Sequence, residues 1–191
     1  MIVFYRILIN IVLLISPFII LLRIIKKKEH PSRFKEKFCF FSKKKIKKNL
    51  IWFHGASVGE ILSVIPLIEK FEKDKNIHQI LITSNTLSSS KIISNLGLKK
   101  TIHQFFPIDS AYFSKKFSEY WRPKIAIFID SEIWPNLVFA IKKRDIYSGI
   151  VNGRITKKSF DRWMLVSRFA KKIFNSFNFC LAATKESREH L

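Results

Sequence analysis

From residue 50 onward the sequence alternates between two hydrophobic periods, and few folds accommodate that alternation. Short, nearly continuous apolar runs occupy residues 50–53, 79–83, 102–106, 124–129, 147–151 and 179–182. A strand that is apolar on both faces has to be covered on both, which is the signature of a parallel sheet between layers of helices. Helical patterns fill the intervals. Residues 58–71 put Ile61, Val64, Ile65 and Ile68 on one face, residues 110–120 and 133–143 follow turns, and 156–174 carries Phe160, Trp163, Met164 and Ile173. Strand–helix alternation predicts a doubly wound α/β domain with ligands at the carboxyl ends of the strands. The turns at 54–60, 84–90, 107–109, 130–136 and 152–156 all fall at that edge, as one site assembled from several loops requires. The sequence has no GxGxxG or Walker fingerprint and no internal repeat.

The most informative of these turns is HGASVGE, residues 54–60. Small residues at a strand-to-helix turn admit a ligand to the backbone, and the free amides of a helix N-terminus attract anions. A carboxylate there, Glu60, can act as a general base toward a hydroxyl within reach. The same residues spell a capping box, Ser57-x-x-Glu60, in which both side chains merely satisfy helix donors. Local sequence leaves both readings open.

The N-terminus points to a membrane. Residues 7–22 form an uncharged apolar stretch of 16, extended by residues 1–5 on the far side of Arg6. A full span needs about 20 apolar residues, so residues 1–28 are expected to form a membrane anchor, either a tilted or snorkelling transmembrane helix or a monotopic one. No small-x-small cleavage site follows, which argues against a secretory signal. Residues 29–49 are expected to be a basic linker. From residue 26 to 48 there are 11 Lys or Arg against Glu29 and Glu36, so the positive-inside rule keeps the following domain cytoplasmic and the cluster attracts anionic membrane lipids.

The formal charge of +21 points to an anionic partner, alongside a codon bias that makes Lys, Ile, Asn and Phe abundant and Gly and Ala scarce. Because the densest basic cluster adjoins the apolar anchor, nucleic acid ranks last among the candidates. Cys39 and Cys180 have neither disulfide-like nor zinc-like spacing, so a reducing compartment and no metal site are expected.

HGASVGE, FPID (106–109), DSEIWPN (130–136) and NGRIT (152–156) occur in this order behind the opening YRILIN…SPFIILLRIIKKKEHPSRFKEKF. Together they resemble the N-terminal half of the 3-deoxy-D-manno-octulosonic acid (Kdo) transferases of lipopolysaccharide synthesis, over essentially the whole chain. The resemblance implies a two-domain GT-B glycosyltransferase at the inner membrane, with two Rossmann-like domains facing each other across a cleft. Its N-terminal domain takes the acceptor, a bis-phosphorylated, acylated glucosamine disaccharide (the lipid A precursor). Its C-terminal domain takes the donor, CMP-Kdo. Transfer inverts the anomeric centre without a covalent enzyme intermediate, a metal or a cofactor.

By the same resemblance Glu60 is the general base, while Ser57 contacts an acceptor oxygen or caps the helix. Gly59, with Gly55, keeps the turn open for a bulky sugar. Glu132 accepts from a sugar hydroxyl or orients its loop. Asn152 and Arg154 follow another strand, and Arg154 can meet a phosphate as a fork. The chain departs from the family pattern at Asp130, where Glu is usual, at Gly153, where Ala is common, and in the glycine-free turn 84–90. Residues 50–191 are expected to form the acceptor domain, with no donor domain in this chain and little activity from it alone. A non-catalytic, membrane-bound glycolipid-binding module is the alternative.

Overall fold

The structure, a computed structural model, describes residues 1–46 and 49–190. Lys47 and Lys48, two of the expected linker cations, and Leu191, the end of the expected acceptor domain, lie outside the described residues.

Six strands form one sheet: β1 (Leu50–His54), β2 (Gln79–Ser84), β3 (Thr101–Phe105), β4 (Ile125–Ile129), β5 (Tyr147–Gly153) and β6 (Phe179–Ala182). Their order is β3-β2-β1-β4-β5-β6, and every pairing is parallel. The winding reverses between β1 and β4. A crevice opens at such a switch point, outside the carboxyl ends of the strands, because the connections leave in opposite directions.

The helices are α2 (Val58–Lys73), α3 (Leu87–Asn95), α4 (Ala111–Trp121), α5 (Pro135–Lys142), α6 (Lys157–Met164), α7 (Ser167–Phe174) and α8 (Lys185–His190), preceded by α1 (Ile2–Ile25). The period of two along each strand divides the core. Trp52, Leu81 and Phe128 pack on one face with Phe117, Trp121, Leu137 and Ile141. Ile51, Phe53, Ile80, Ile82, Ile127 and Ile129 pack on the other with Ile61 and Ile68. Burying a side chain such as Phe53 contributes roughly 2 kcal/mol relative to leaving it in water.

The structure differs from the sequence pattern in three elements. The 84–90 turn is mostly helix, because Thr86 caps α3 by accepting from the Ser89 amide. The expected helix 156–174 is two, broken at Leu165–Val166 between α6 and α7. Strand β5 runs two residues further than the apolar run, so Asn152 lies in the strand rather than the following turn, with φ at +54°.

Helix α1 is long and apolar enough to cross a membrane, and within it only Ser16 and Ile20 are buried. Pro17 removes the amide that would bond the Leu13 carbonyl, and the Ser16 hydroxyl donates to that carbonyl instead at 2.7 Å. Both ends are held from one side. Tyr5 donates to Asp109 at 2.8 Å and Arg6 to Asn136 at 2.9 Å, while Arg23 meets Glu29 at 3.2 Å.

Residues 29–46, part of the expected basic linker, fold against the domain. The Arg33–Phe38 segment is a 3-10 turn, and Glu29 and Glu36 are buried. Arg33 grips Glu36 with a two-pronged contact at 2.8 and 3.0 Å, and Glu36 also accepts from the Phe105 amide at 2.7 Å. Lys37 pairs with Glu29, so part of the basic charge is neutralised within the fold.

Candidate active site

The carboxyl ends of β1, β4 and β5 bring the expected site residues to one edge. β1 ends at His54, and after the turn α2 starts at Val58. Ser57 is the N-cap of α2: its hydroxyl accepts from the Glu60 amide at 3.3 Å and donates to Glu60 Oε1 at 2.5 Å. Glu60 Oε2 accepts from the Ala56 amide at 2.7 Å. The Ser57 half of the capping box has formed, while the carboxylate reaches back past the N-cap amide to that of Ala56; these bonds fix it in the first turn of α2, half-buried beside the switch point.

The two glycines differ. A Cβ at Gly55 would sit 3.1 Å from Glu60 Cβ and 3.2 Å from Ile129 Cδ1, so a bare backbone is needed there for α2 to pack against β4. At Gly59 nothing lies within 4 Å of where a Cβ would be, so the backbone faces open space.

Across the switch point stands Glu132, in the loop between β4 and α5. Its Oε2 accepts from the Trp134 indole at 2.9 Å and lies 3.5 Å from His54 Nε2. Burial pushes the Glu132 carboxyl up, but the His54 ring and the Trp134 indole outweigh it and hold the group below the usual carboxylate range. His54 is fully buried and stacks on Phe106 at 3.7 Å between ring centroids. The ring thus ties the end of β1 to the loop after β4.

The β5 side is looser. Arg154 is exposed, and its Nε lies 3.9 Å from Asp130 Oδ2. The Ser131 hydroxyl donates to the Arg154 carbonyl, which joins the β4 and β5 loops. Asp130 and Asn152 both take left-handed backbone conformations, at φ +61° and +54°. These two residue types tolerate that region better than most. Ser57, Gly59 and Glu60 follow β1 and Glu132 follows β4, on the two sides of the switch point, whereas Asn152 and Arg154 stand one strand further out.

The sequence reading did not single out Asp109 within the 107–109 turn. Asp109 is buried and accepts four hydrogen bonds of 2.8–2.9 Å, from Tyr5, Ser114, and the amides of Asn136 and Leu137. The last two are first-turn donors of α5, whose own N-cap, Trp134, offers no side-chain bond. Burial pushes the Asp109 carboxyl up to about 6, against the pull of these donors. Its signal in the sequence was weak: a lone Asp two residues after a Pro reads only as a turn.

Residues 32–191 match the family described as 3-deoxy-D-manno-octulosonic-acid transferase (kdotransferase). Among curated proteins, the chain is 37% identical over 161 residues to the 3-deoxy-D-manno-octulosonic acid transferase of Rickettsia bellii, covering 84% of this chain and 38% of that protein. It is 39% identical over 132 residues to that of Rickettsia prowazekii, covering 68% and 28%. A probable mitochondrial counterpart from Arabidopsis thaliana is 37% identical over 135 residues, 71% of this chain and 30% of the plant protein. The chain thus spans well under half the length of these relatives.

Among solved structures, a putative UDP-N-acetylglucosamine 2-epimerase from Listeria monocytogenes superposes with a TM-score of 0.55 at 12% identity, over 75% of this chain and 40% of its own. That likeness carries the fold alone. Sequence match, motif order and sheet topology agree, and the chain belongs to the 3-deoxy-D-manno-octulosonic acid transferase family.

Proposed function

We propose that this chain is the acceptor-binding half of a Kdo transferase that moves Kdo from CMP-Kdo to the lipid A precursor, with inversion, at the cytoplasmic face of the inner membrane. The observation that carries this reading is Glu60: a carboxylate fixed at a helix N-terminus beside the switch-point crevice, next to a glycine backbone with open space before it. In the reaction an acceptor hydroxyl attacks the anomeric carbon of Kdo. The new C–O bond forms as the bond to CMP breaks, CMP leaves with the electron pair, and Glu60 takes the hydroxyl proton.

Each Glu60 oxygen has a second lone pair, so its bonds to Ala56 and Ser57 position the base without exhausting it. Ser57 can rotate to an acceptor oxygen, and Glu132 accepts from a second sugar hydroxyl. Asn152 and Arg154 meet the acceptor's polar rim, with the guanidinium on a phosphate. The CMP-Kdo site is assigned to the part of the longer relatives that this chain does not match.

The anchor is read as monotopic. With Tyr5 and Arg23, near its two ends, bonded on the same side, α1 lies in the membrane interface and buries its exposed apolar face. The basic residues that follow it attract anionic lipids.

One observation favours the non-catalytic alternative: both Glu60 oxygens are already engaged within the capping box. The test joins this chain to the C-terminal part of the Rickettsia bellii relative and supplies CMP-Kdo and lipid A precursor. The mass of the lipid is then measured for wild type and Glu60→Gln. A Kdo adduct that falls by about 10²–10⁴-fold in the variant is expected, with lipid binding retained. Equal transfer in the variant sinks the assignment of the base, and lipid binding without transfer in either protein favours the binding module.

A further inference from the structure

Four side chains lead from the core to the crevice. Trp52 and His54 alternate on β1, Thr83 stands opposite His54 on β2, and Glu132 follows β4. The Trp52 indole, a donor only, gives its proton to Thr83 Oγ1 at 2.8 Å. The Thr83 hydroxyl must then place its own proton elsewhere. The Phe53 carbonyl is 3.4 Å away and His54 Nδ1 is 2.9 Å away, so the proton goes to the ring. A ring nitrogen that accepts carries no proton, which leaves the ring proton of His54 on Nε2.

The opposite tautomer would let Nδ1 donate to Thr83 Oγ1 at 2.9 Å or to the Thr83 carbonyl at 3.3 Å, with the Thr83 hydroxyl left to the long 3.4 Å contact with the Phe53 carbonyl. It would also turn the Nε2 lone pair toward Glu132 Oε2, 3.5 Å away, inside a fully buried site where Nε2 has no hydrogen-bond partner. A lone pair facing a carboxylate is repulsive, whereas an N–H facing it is attractive. The shorter Thr83 donation and the Glu132 contact therefore favour the same tautomer.

We propose that His54, fixed as the Nε2–H tautomer by Trp52 and Thr83, is a positioning residue that aims the Glu132 carboxylate at the acceptor. The ring is clamped by Phe106 at 3.7 Å, and Phe106 in turn touches Trp134 at 5.4 Å between centroids. His54 and the Trp134 indole both act on Oε2, which keeps Oε1 for a sugar hydroxyl. When the acceptor fills the crevice, the 3.5 Å contact shortens to a hydrogen bond. This inference rests on the acceptor reading of the crevice given above.

The test labels the five histidines of the full chain with ¹⁵N in detergent micelles and assigns His54 by its loss in His54→Gln. Wild type is expected to show the Nε2–H pattern at His54. Thr83→Val is expected to shift the ring toward Nδ1–H and to raise the Glu132 titration midpoint by about 1 pH unit. The same variant should weaken binding of the lipid A precursor about tenfold. Thr83→Ser should restore all three, which a packing defect alone would not do. An Nδ1–H ring in wild type overturns the proposal, as does a Thr83→Val chain whose tautomer and Glu132 titration match wild type. Unchanged lipid affinity in Glu132→Gln sinks the acceptor reading instead, while the tautomer and the titration still judge the ring–carboxylate coupling.

Discussion

Two carboxylates occupy helix N-termini on the same edge of this sheet, and their surroundings are opposite. Asp109 is 2% exposed, and four donors converge on it from α1, α4 and the first turn of α5. Glu60 is half-buried and holds only its own capping partners, Ala56 and Ser57. Both gain from the helix dipole. The difference lies in saturation: Asp109 has no room for a ligand, whereas Glu60 keeps lone pairs and an open approach past Gly59. One local device thus serves as a structural junction where burial closes around it and stays available to a substrate where it does not.

The strongest way to break this comparison acts on Asp109. Its folded carboxyl titrates at about 6, above the ordinary 3.8. Between those values the folded chain binds a proton that the unfolded chain does not, so this group's contribution to stability is full below 3.8 and is lost as pH rises through 6. Asp109→Asn has no such titration. Unfolding of wild type and Asp109→Asn by urea is therefore expected to differ more at pH 4 than at pH 7, by up to about 3 kcal/mol. A gap that stays constant across this range would mean that the four donors, not burial, set the charge state of the junction.

A smaller effect sharpens the Glu60 side. Gly55→Ala forces a methyl within 3.1 Å of Glu60 Cβ, so the first turn of α2 must move. A loss of roughly 1–2 kcal/mol in stability is expected, with weaker acceptor binding. Gly59→Ala, an exposed helix position with empty space around it, should be stabilising by about 0.5–1 kcal/mol and impair only ligand approach. Thermal melts and lipid-binding titrations on the two variants check the contrast. Equal stability loss in both would show that the turn at residues 54–60 tolerates no methyl anywhere.

The sheet was legible because buried parallel strands demand continuous apolar runs, and five of the six runs overlap strands to within a residue at each end. The exception is β5, whose last residues, Asn152 and Gly153, carry no apolar signal. Helix α3 was hidden because Ser88, Ser89 and Ser90 read as loop, while its Thr86 cap and the buried Ile93 decide the matter in three dimensions. The Ser57–Glu60 box was legible for a local reason: both partners lie within one turn. Asp109, His54 and Glu36 are different. Beyond near neighbours such as Ser114 for Asp109 and Arg33 for Glu36, they bond to partners 27 to 104, 29 and 69 residues away respectively, and no local pattern encodes a bond of that span. The same limit explains the linker, where a run of Lys and Arg gave no hint that Glu29 and Glu36 would be buried beneath it.

Arg154 completes the comparison as a charge with almost no partner. Its side chain is 62% exposed, and the nearest carboxylate oxygen, on Asp130, is 3.9 Å away, so water screens the pair. Arg154→Ala is expected to change stability by less than about 0.5 kcal/mol. If the guanidinium meets an acceptor phosphate, the same variant weakens lipid binding several-fold at low salt and less at high salt, because an exposed contact is screened within about 10 Å at 0.1 M. Arg154→Lys should recover part of the charge effect but not the planar two-pronged grip. Binding that is equal for all three proteins at every ionic strength would remove Arg154 from the site and leave its case resting on Glu60 and Glu132.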